Sequence, residues 1–343
     1  MTDGRLMRHV PMFEALPAYL GGKRKLTSVM FALLASAIPR VEWKHRVLVD
    51  PCLGGGAVSL AAKWHGFTIV SNDVARRSEL IGQALIANST VKLSLGDVHG
   101  LLAEPAKPYV RMAQEHYHPT VFTLPQARFV DRAFANARCY AGPRAALAEL
   151  LVVKWLLRCF PMSTLEARDA THAALGEWDE ISPRRLAHYA RAGDKLSPDY
   201  LLSLAHELNG AVFPGRGQVH RGDALDFLKH ASGDVLYLDP PYAGTTGYPT
   251  HYRVLDMLLG DSTSREASAP ALSELLQAGR HIAVWLISYG SISASMAEVE
   301  GMCRECGYKV LRSLEIPFTH LGSLASKARN ETNREYLVLA VRK

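Results

Sequence analysis

The sequence contains no apolar run approaching the ~20 residues that a membrane-spanning helix requires, which argues against a helical membrane protein. Its opening, Met1-Thr2-Asp3-Gly4-Arg5, lacks the apolar centre of a secretory signal, so the cytoplasm is the expected compartment. Cysteine is sparse: five residues, at positions 52, 139, 159, 303 and 306. Cys303 and Cys306 form one C-x-x-C, but a zinc site needs four ligands and no second pair stands at suitable spacing. Reduced, structural thiols and no metal are expected. His116 and His118 likewise lack partners and read as surface or loop residues. Two glycine patterns are incomplete. A phosphate loop ending at Lys23 would need glycine at position 17 and serine or threonine at 24, where the chain has Pro17 and Arg24. A dinucleotide fingerprint would need glycine at position 59, which is Ser59. Both absences weigh against P-loop nucleotide hydrolysis and nicotinamide chemistry. No internal repeat or low-complexity tract is visible.

What is present is ordinary for a globular protein: 343 residues, 48% hydrophobic and 21% charged, enough for one large domain with an insertion or for two domains. The formal net charge is +6 and the pI near 9.0. A modest positive excess fits a nucleic-acid partner without requiring one.

The chain is organised around Val235-Leu236-Tyr237-Leu238-Asp239-Pro240-Pro241-Tyr242. The apolar run reads as a buried strand. Two consecutive prolines cannot continue it, because they lack N–H donors and fix φ. The chain must leave the sheet at Asp239, and in open α/β sheets ligands bind at the carboxyl ends of strands. A carboxylate beside a proline carbonyl offers two acceptors and no donor, which suits an amino group. Tyr242 offers an aromatic face for a planar ring. A β-turn with a buried tyrosine fits the same four residues, so the rest of the chain must decide.

Upstream, Leu26, Val29, Met30, Leu33, Leu34 and Ile38 follow helical spacing up to Pro39, with Lys23 opening the helix behind Gly21 and Gly22. Val47–Asp50 reads as a first strand, Pro51–Gly56 as its turn and Ala57–His65 as a helix; glycines there let a cofactor lie against backbone amides. Phe67–Asp73 reads as a second strand ending in an acid. That acid can bind ribose hydroxyls or cap the helix expected over 74–87. Residues 88–217 break the alternation with helical patterns at 126–140 and 145–160. These carry Arg128, Arg132, Arg138, Arg144, Lys154 and Arg158 against Asp131 and Glu149. Such a face can track phosphates, or be a solvated helix surface. The alternation resumes with a strand over 218–223, a short helix over 224–229, the strand to Asp239, a polar Gly-rich loop over 243–248, a strand over 281–289 and a helix over 292–306. Two strands close the chain, 308–318 and 335–341, joined by a polar loop with Lys327, Arg329 and Arg334; a terminal hairpin gives a mixed sheet with an antiparallel edge.

Taken together, Tyr19-Leu20-Gly21-Gly22-Lys23, Asp50-Pro51 with the triple glycine, Asn72-Asp73, Gly222-Asp223 and Asp239–Tyr242, in this order, resemble the Dam-like class of DNA adenine-N6 methyltransferases. Trp285–Tyr289 and Asn333–Leu337 resemble its closing segments. The resemblance implies a doubly wound, Rossmann-like mixed α/β sheet with an antiparallel terminal strand, binding S-adenosylmethionine. The catalytic domain would be 18–88 with 218–343, and 89–217 a mainly helical target-recognition insertion. It implies Asp239, Pro240 and Tyr242 as catalytic residues. Tyr19, Lys23, Asp50, Pro51, Gly54, Gly56, Asp73, Asp223 and Asp239 would be cofactor-binding: Lys23 and the glycine turn at the methionine end, Asp50 on the amino group, Asp73 on the ribose and Asp223 on the cofactor's adenine. The partner implied is double-stranded DNA, with a monomer as the default. One departure is Cys52, where the family usually has phenylalanine against the cofactor. Competing readings are an amino-methyltransferase acting on RNA, cytosine or a protein amide, and a non-catalytic DNA-binding protein on the same fold.

Overall fold

A computed structural model describes residues 12–119, 121–160, 194–241, 248–262, 270–318 and 333–343. The elements run β1 (Val47–Asp50), β2 (Thr68–Asp73), β3 (Arg216–Arg221), β4 (Val235–Leu238), β5 (Val284–Gly290), β6 (Tyr308–Pro317) and β7 (Arg334–Arg342). The helices needed below are α1 (Thr27–Leu34), α2 (Ala57–Trp64), α3 (Arg76–Ile81), α4 (Leu95–Leu102), α5 (Leu124–Ala137), α6 (Gly142–Cys159), α7 (Pro198–Gly210), α8 (Ala224–His230), α9 (Tyr248–Leu258), α10 (Leu272–Ala278) and α11 (Met296–Glu305).

The strands form one seven-stranded sheet in the order β3-β2-β1-β4-β5-β7-β6. β1 pairs in parallel with both β2 and β4, β2 with β3, and β4 with β5; β7 is antiparallel to β5 and to β6. The strand order reverses between β1 and β4, which makes that junction the switch point of a doubly wound sheet. The expected terminal hairpin forms, with one difference in placement. The antiparallel strand β7 lies inside the sheet, between β5 and β6, and β6 is the edge.

The central strands read as apolar runs because both of their faces are covered. Alternation along each strand sorts side chains into two cores. Leu48, Val235, Tyr237, Leu286, Leu337 and Leu339 join the core under α1, α2 and α3, whereas Val49, Leu236, Leu238, Trp285, Ile287, Val338 and Ala340 join the core with α8, α10 and α11. The edge strand β3 has no such burial and carries Arg216, His220 and Arg221.

Between α3 and β3 the chain is helical in its described parts, as the broken alternation predicts. The helix after β2 does not run unbroken to Ala87. It changes to a π turn over Gly82–Ala87, where Gly82 lies so close to β3 that an added Cβ would stand 2.7 Å from Val219 Cγ1. Helix α6 is buried along most of its length. The basic residues counted in the sequence do not make one open face. Lys154 is buried and pairs with Glu207 at 2.7 Å, and Arg158 pairs with the same carboxylate at 3.1 Å. Arg132 pairs with Glu104, Arg144 lies 3.8 Å from Asp97, and Arg138 donates to the Leu258 carbonyl. Arg128 stands exposed.

Helices α9 and α10, between β4 and β5, have no counterpart in the sequence reading, which places only a polar loop there. Residues 243–247 of that loop lie outside the described residues, as do residues 1–11, Lys327 and Arg329. Helix α9 grips the amino-terminal half of the fold. Arg77 of α3 makes both its close bonds to the Asp256 carboxylate, at 2.6 Å, and its guanidinium lies 4.0 Å from the centroid of the Tyr252 ring. Asp256 is fully buried. Just past the helix, Asp261 accepts the Arg76 N–H at 2.8 Å and pairs with Arg221 at 2.6 Å. Removing one partner from a buried ion pair leaves the other uncompensated. Asp256→Ala should therefore destabilise the fold by about 3–5 kcal/mol, read as a fall in the denaturant midpoint; a loss within the range of a surface substitution would contradict the pairing.

Candidate active site

Parallel strands end on the same edge of the sheet, and here four neighbouring ones end in acids. Asp50 closes β1 and Asp73 closes β2; Asp239 follows β4 directly, and Asp223 follows β3 across Gly222. The four converge on Cys52. Its half-buried thiol is held well above the usual range, first by burial and then by the charges of Asp73, Asp50, Asp239 and Asp223. The acids expected from sequence are therefore one cluster, at the switch point between β1 and β4.

The glycine turn is held from below by β2. The Gly54 N–H donates to Asp73 Oδ2 at 2.8 Å, and the Ala75 N–H donates to Asp73 Oδ1 at 2.9 Å. Burial raises Asp73, and these two amides oppose the shift. Asp73 does not cap the next helix: the residue at that position is Ala75. Gly54 and Gly56 take φ of 53° and 71°, a left-handed backbone that favours glycine. Asn72 donates its side-chain N–H bonds to the carbonyls of Pro51 and Gly222, at 3.2 and 3.0 Å, and so ties the turn after β1 to the turn after β3. Asp50 is buried and accepts from Ser59 Oγ at 2.6 Å and from the Cys52 N–H at 3.3 Å. Burial pushes its carboxyl up to about 7, against the pull of Ser59. Ser59, which breaks the dinucleotide pattern, thus serves as the donor to the β1 acid. Asp223 caps α8, accepting from the amides of Leu225 and Asp226 at 2.8 and 3.0 Å.

Tyr19 lies on the glycine turn. A Cβ added to Gly55 would stand 2.8 Å from Tyr19 Cβ. The Tyr19 hydroxyl is 3.2 Å from Ser78 Oγ, and its ring lies 5.2 Å from that of Tyr252. The Tyr252 hydroxyl in turn accepts the Leu20 N–H at 2.9 Å. Burial pushes the Tyr19 hydroxyl up to about 12.

Lys23 stands one turn ahead of α1 rather than within it. It is 4% exposed, and its ammonium donates to Asp239 Oδ1 at 2.8 Å and to the Gly21 carbonyl at 3.0 Å. Glu335 Oε1 lies 3.5 Å away. The other oxygen of Asp239 accepts from the Tyr237 hydroxyl at 3.1 Å. Asp239 remains 19% exposed, so it faces the strand-end opening rather than the interior. Pro240 is buried beside it. Tyr242 lies outside the described residues. Glu335, Tyr237, Ser288 and Tyr252 were not singled out in the sequence. Glu335 and Ser288 had one signal each, their places in the closing segments 333–337 and 285–289; Tyr237 lies in the strand before Asp239, where alternation makes it core, and nothing local marks Tyr252.

The mostly parallel, doubly wound sheet with acids at its strand ends fits a methyltransferase fold. Residues 19–137 match the family model described as D12 class N6 adenine-specific DNA methyltransferase. Over 94% of its length the chain is 24% identical to the Type II methyltransferase M2.HphI of Haemophilus parahaemolyticus, 96% of which it covers. The family match spans the glycine turn and Asp73 and ends before the bend at Asp239; the similarity to the relative extends over nearly the whole chain. These findings bear out the resemblance drawn from the motifs and support adenine-N6 methylation of DNA. No helix among the described residues is long and apolar enough to cross a membrane.

Because Gly55 abuts Tyr19 near its backbone, the ring cannot swing away cheaply. Gly55→Ala should cost about 1–3 kcal/mol through overpacking, and much less in a Tyr19→Gly background, which removes the Cβ it would meet. Equal costs in both backgrounds, measured by thermal melting, would refute this contact.

Proposed function

We propose that the chain binds S-adenosylmethionine across the ends of β1–β4 and methylates the exocyclic N6 of an adenine within a specific double-stranded DNA sequence. The observation that carries the reading is that Asp50, Asp73, Asp223 and Asp239 stand at the same ends of four adjacent parallel strands, with Asp73 and Asn72 tying the glycine turn to its neighbours. Such a set of acceptors suits a ligand with two cationic centres, an ammonium and a sulfonium, joined to a ribose and an amino-purine. Residue by residue, Asp50 takes the ammonium, the amides of Gly54–Gly56 and the Tyr19 ring flank the methionine end, Asp73 takes ribose hydroxyls and Asp223 the purine amine. Both Asp73 and Asp223 already hold backbone amides, so each offers the ligand its remaining lone pairs. Pro51 orients the turn, and Cys52 leaves more room there than a phenylalanine would.

When bound, S-adenosylmethionine supplies an activated methyl group, so the protein's task is placement and electrostatics. A duplex hides the adenine amine, and the base must be extruded. Asp239 and the Pro240 carbonyl accept the two amine hydrogens and leave the lone pair free to attack. Lys23 and Tyr237 keep the Asp239 carboxylate oriented. Tyr242 stacks on the extruded base. The helical segment 89–217 serves target recognition, with 18–88 and 218–343 forming the catalytic unit. Lys154 is buried and paired within the fold, so phosphate contacts rest on exposed cations such as Arg128, Arg138, Arg144 and Arg158.

Methylation-aware sequencing of DNA from a host expressing the chain tests the whole reading. Methylated adenine in one recurrent sequence supports it, while modified cytosine, or methyl transfer only to RNA or protein, refutes it. Asp239→Ala should lower methyl transfer by on the order of a hundredfold or more with little change in cofactor affinity; turnover retained in that variant would contradict the acceptor role.

The Asp50 assignment predicts a pH dependence. Its carboxyl is protonated in the free protein below pH about 7, whereas pairing with an ammonium requires the carboxylate. Binding then releases a proton below that pH, and affinity falls as the solution becomes more acid, by up to about tenfold per unit. Calorimetry in buffers of different ionisation enthalpy should register the release, and Asp50→Asn should abolish it. Proton release persisting in that variant would exclude Asp50 as its source.

A further inference from the structure

Outside the acids already assigned, the site holds a second carboxylate that no part of the proposed chemistry uses. Glu335 is fully buried, the second residue of β7. A carboxylate without solvent needs a cation and hydrogen bonds. It takes a bond from Ser288 Oγ on β5 and stands 3.5 Å from the Lys23 ammonium. Lys23 is thus shared between two acids, 2.8 Å from Asp239 and 3.5 Å from Glu335, with the Gly21 carbonyl as a third acceptor. The topology explains how a residue so late in the chain arrives there. β7 alone runs against its neighbours, so it begins where the parallel strands end, and Glu335 is in register with Gly290, the last residue of β5.

A single cation between two carboxylates has consequences for the reaction. If Lys23 paired with Asp239 alone, its charge would be spent entirely on the oxygen that must accept an amine hydrogen. With Glu335 present the ammonium is held from two sides, and the triad carries a net negative charge beside the place where a cationic donor is expected.

We propose that Glu335 is a positioning residue for methyl transfer, fixing the Lys23 ammonium and through it the orientation and acceptor strength of Asp239. This deepens the reading given under the proposed function and rests on it. The prediction is that Glu335→Gln, which keeps the shape and removes the charge, lowers kcat by about 10–100-fold while cofactor Kd stays within about threefold. A residue that acts through Lys23 has nothing left to position once Lys23 is gone. In a Lys23→Met background, whose own kcat is already low, Glu335→Gln should therefore cost no more than about twofold in kcat.

The inference is overturned if Glu335→Gln retains wild-type kcat within twofold, or if its loss recurs in full beside Lys23→Met. A thermal-melting cycle on the same variants needs no activity. Each substitution should lower Tm, and the double variant should melt no lower than the worse single one, because removing both charges leaves neither orphaned. Additive losses of Tm overturn the inference. A wild-type chain that does not methylate DNA counts against the proposed function, whereas an active wild type with an unaffected Glu335→Gln counts against this inference alone.

Discussion

An ammonium taken out of water must find acceptors for its hydrogens, and Lys23 finds them on three pieces of chain that are remote in sequence. They are its own glycine motif through Gly21, the bend after β4 through Asp239, and the start of β7 through Glu335. No single element can satisfy it. The arrangement therefore requires that the amino-terminal motif dock across the carboxyl ends of the strands and that β7 run antiparallel. It also requires that β4 stop where the prolines stop it. Asp239 can stand partly exposed and still be held in one orientation because its two oxygens are engaged from Lys23 and from Tyr237.

The same edge explains how the acids divide their labour. Asp73 and Asp223 spend lone pairs on backbone amides and shape the turns they sit in. Asp50 is buried at the start of the glycine turn, where burial favours its neutral form. Asp239 alone of the four is held by an ammonium in the described structure. One class of side chain thus caps turns, sits buried with a raised carboxyl and accepts from an ammonium, and the difference lies in what each carboxylate faces.

Much of this was readable before any coordinates, for reasons that can be named. β1, β4 and β5 are covered on both faces and so appear as unbroken apolar runs. The glycine turn and the Asp-Pro-Pro bend declare themselves because backbone constraints are local. What was not readable depends on distance or on pairing. Glu335 looks like any acid in a strand until β7 is placed next to β5, and a terminal hairpin does not say which of its strands lies inside the sheet. Lys154 and Arg158 count as basic in the sequence, but both pair with Glu207 from another helix, which offsets one of their two charges. Helix α9 was missed because the glycine-rich stretch before it drew the reading toward a loop. Its Tyr252 and Asp256 act by reaching Leu20 and Arg77, which no local pattern reveals.

The late position of Glu335 carries a consequence for gene products rather than for the enzyme. A message cut short by a premature stop after residue 318 still encodes six of the seven strands, the glycine turn and the Asp-Pro-Pro bend. Such a fragment would leave Lys23 without its second carboxylate and Ser288 without its acceptor. Because β7 also joins β5 to β6 inside the sheet, nonsense alleles falling anywhere upstream of it should behave as complete losses, however much of the fold their fragments retain.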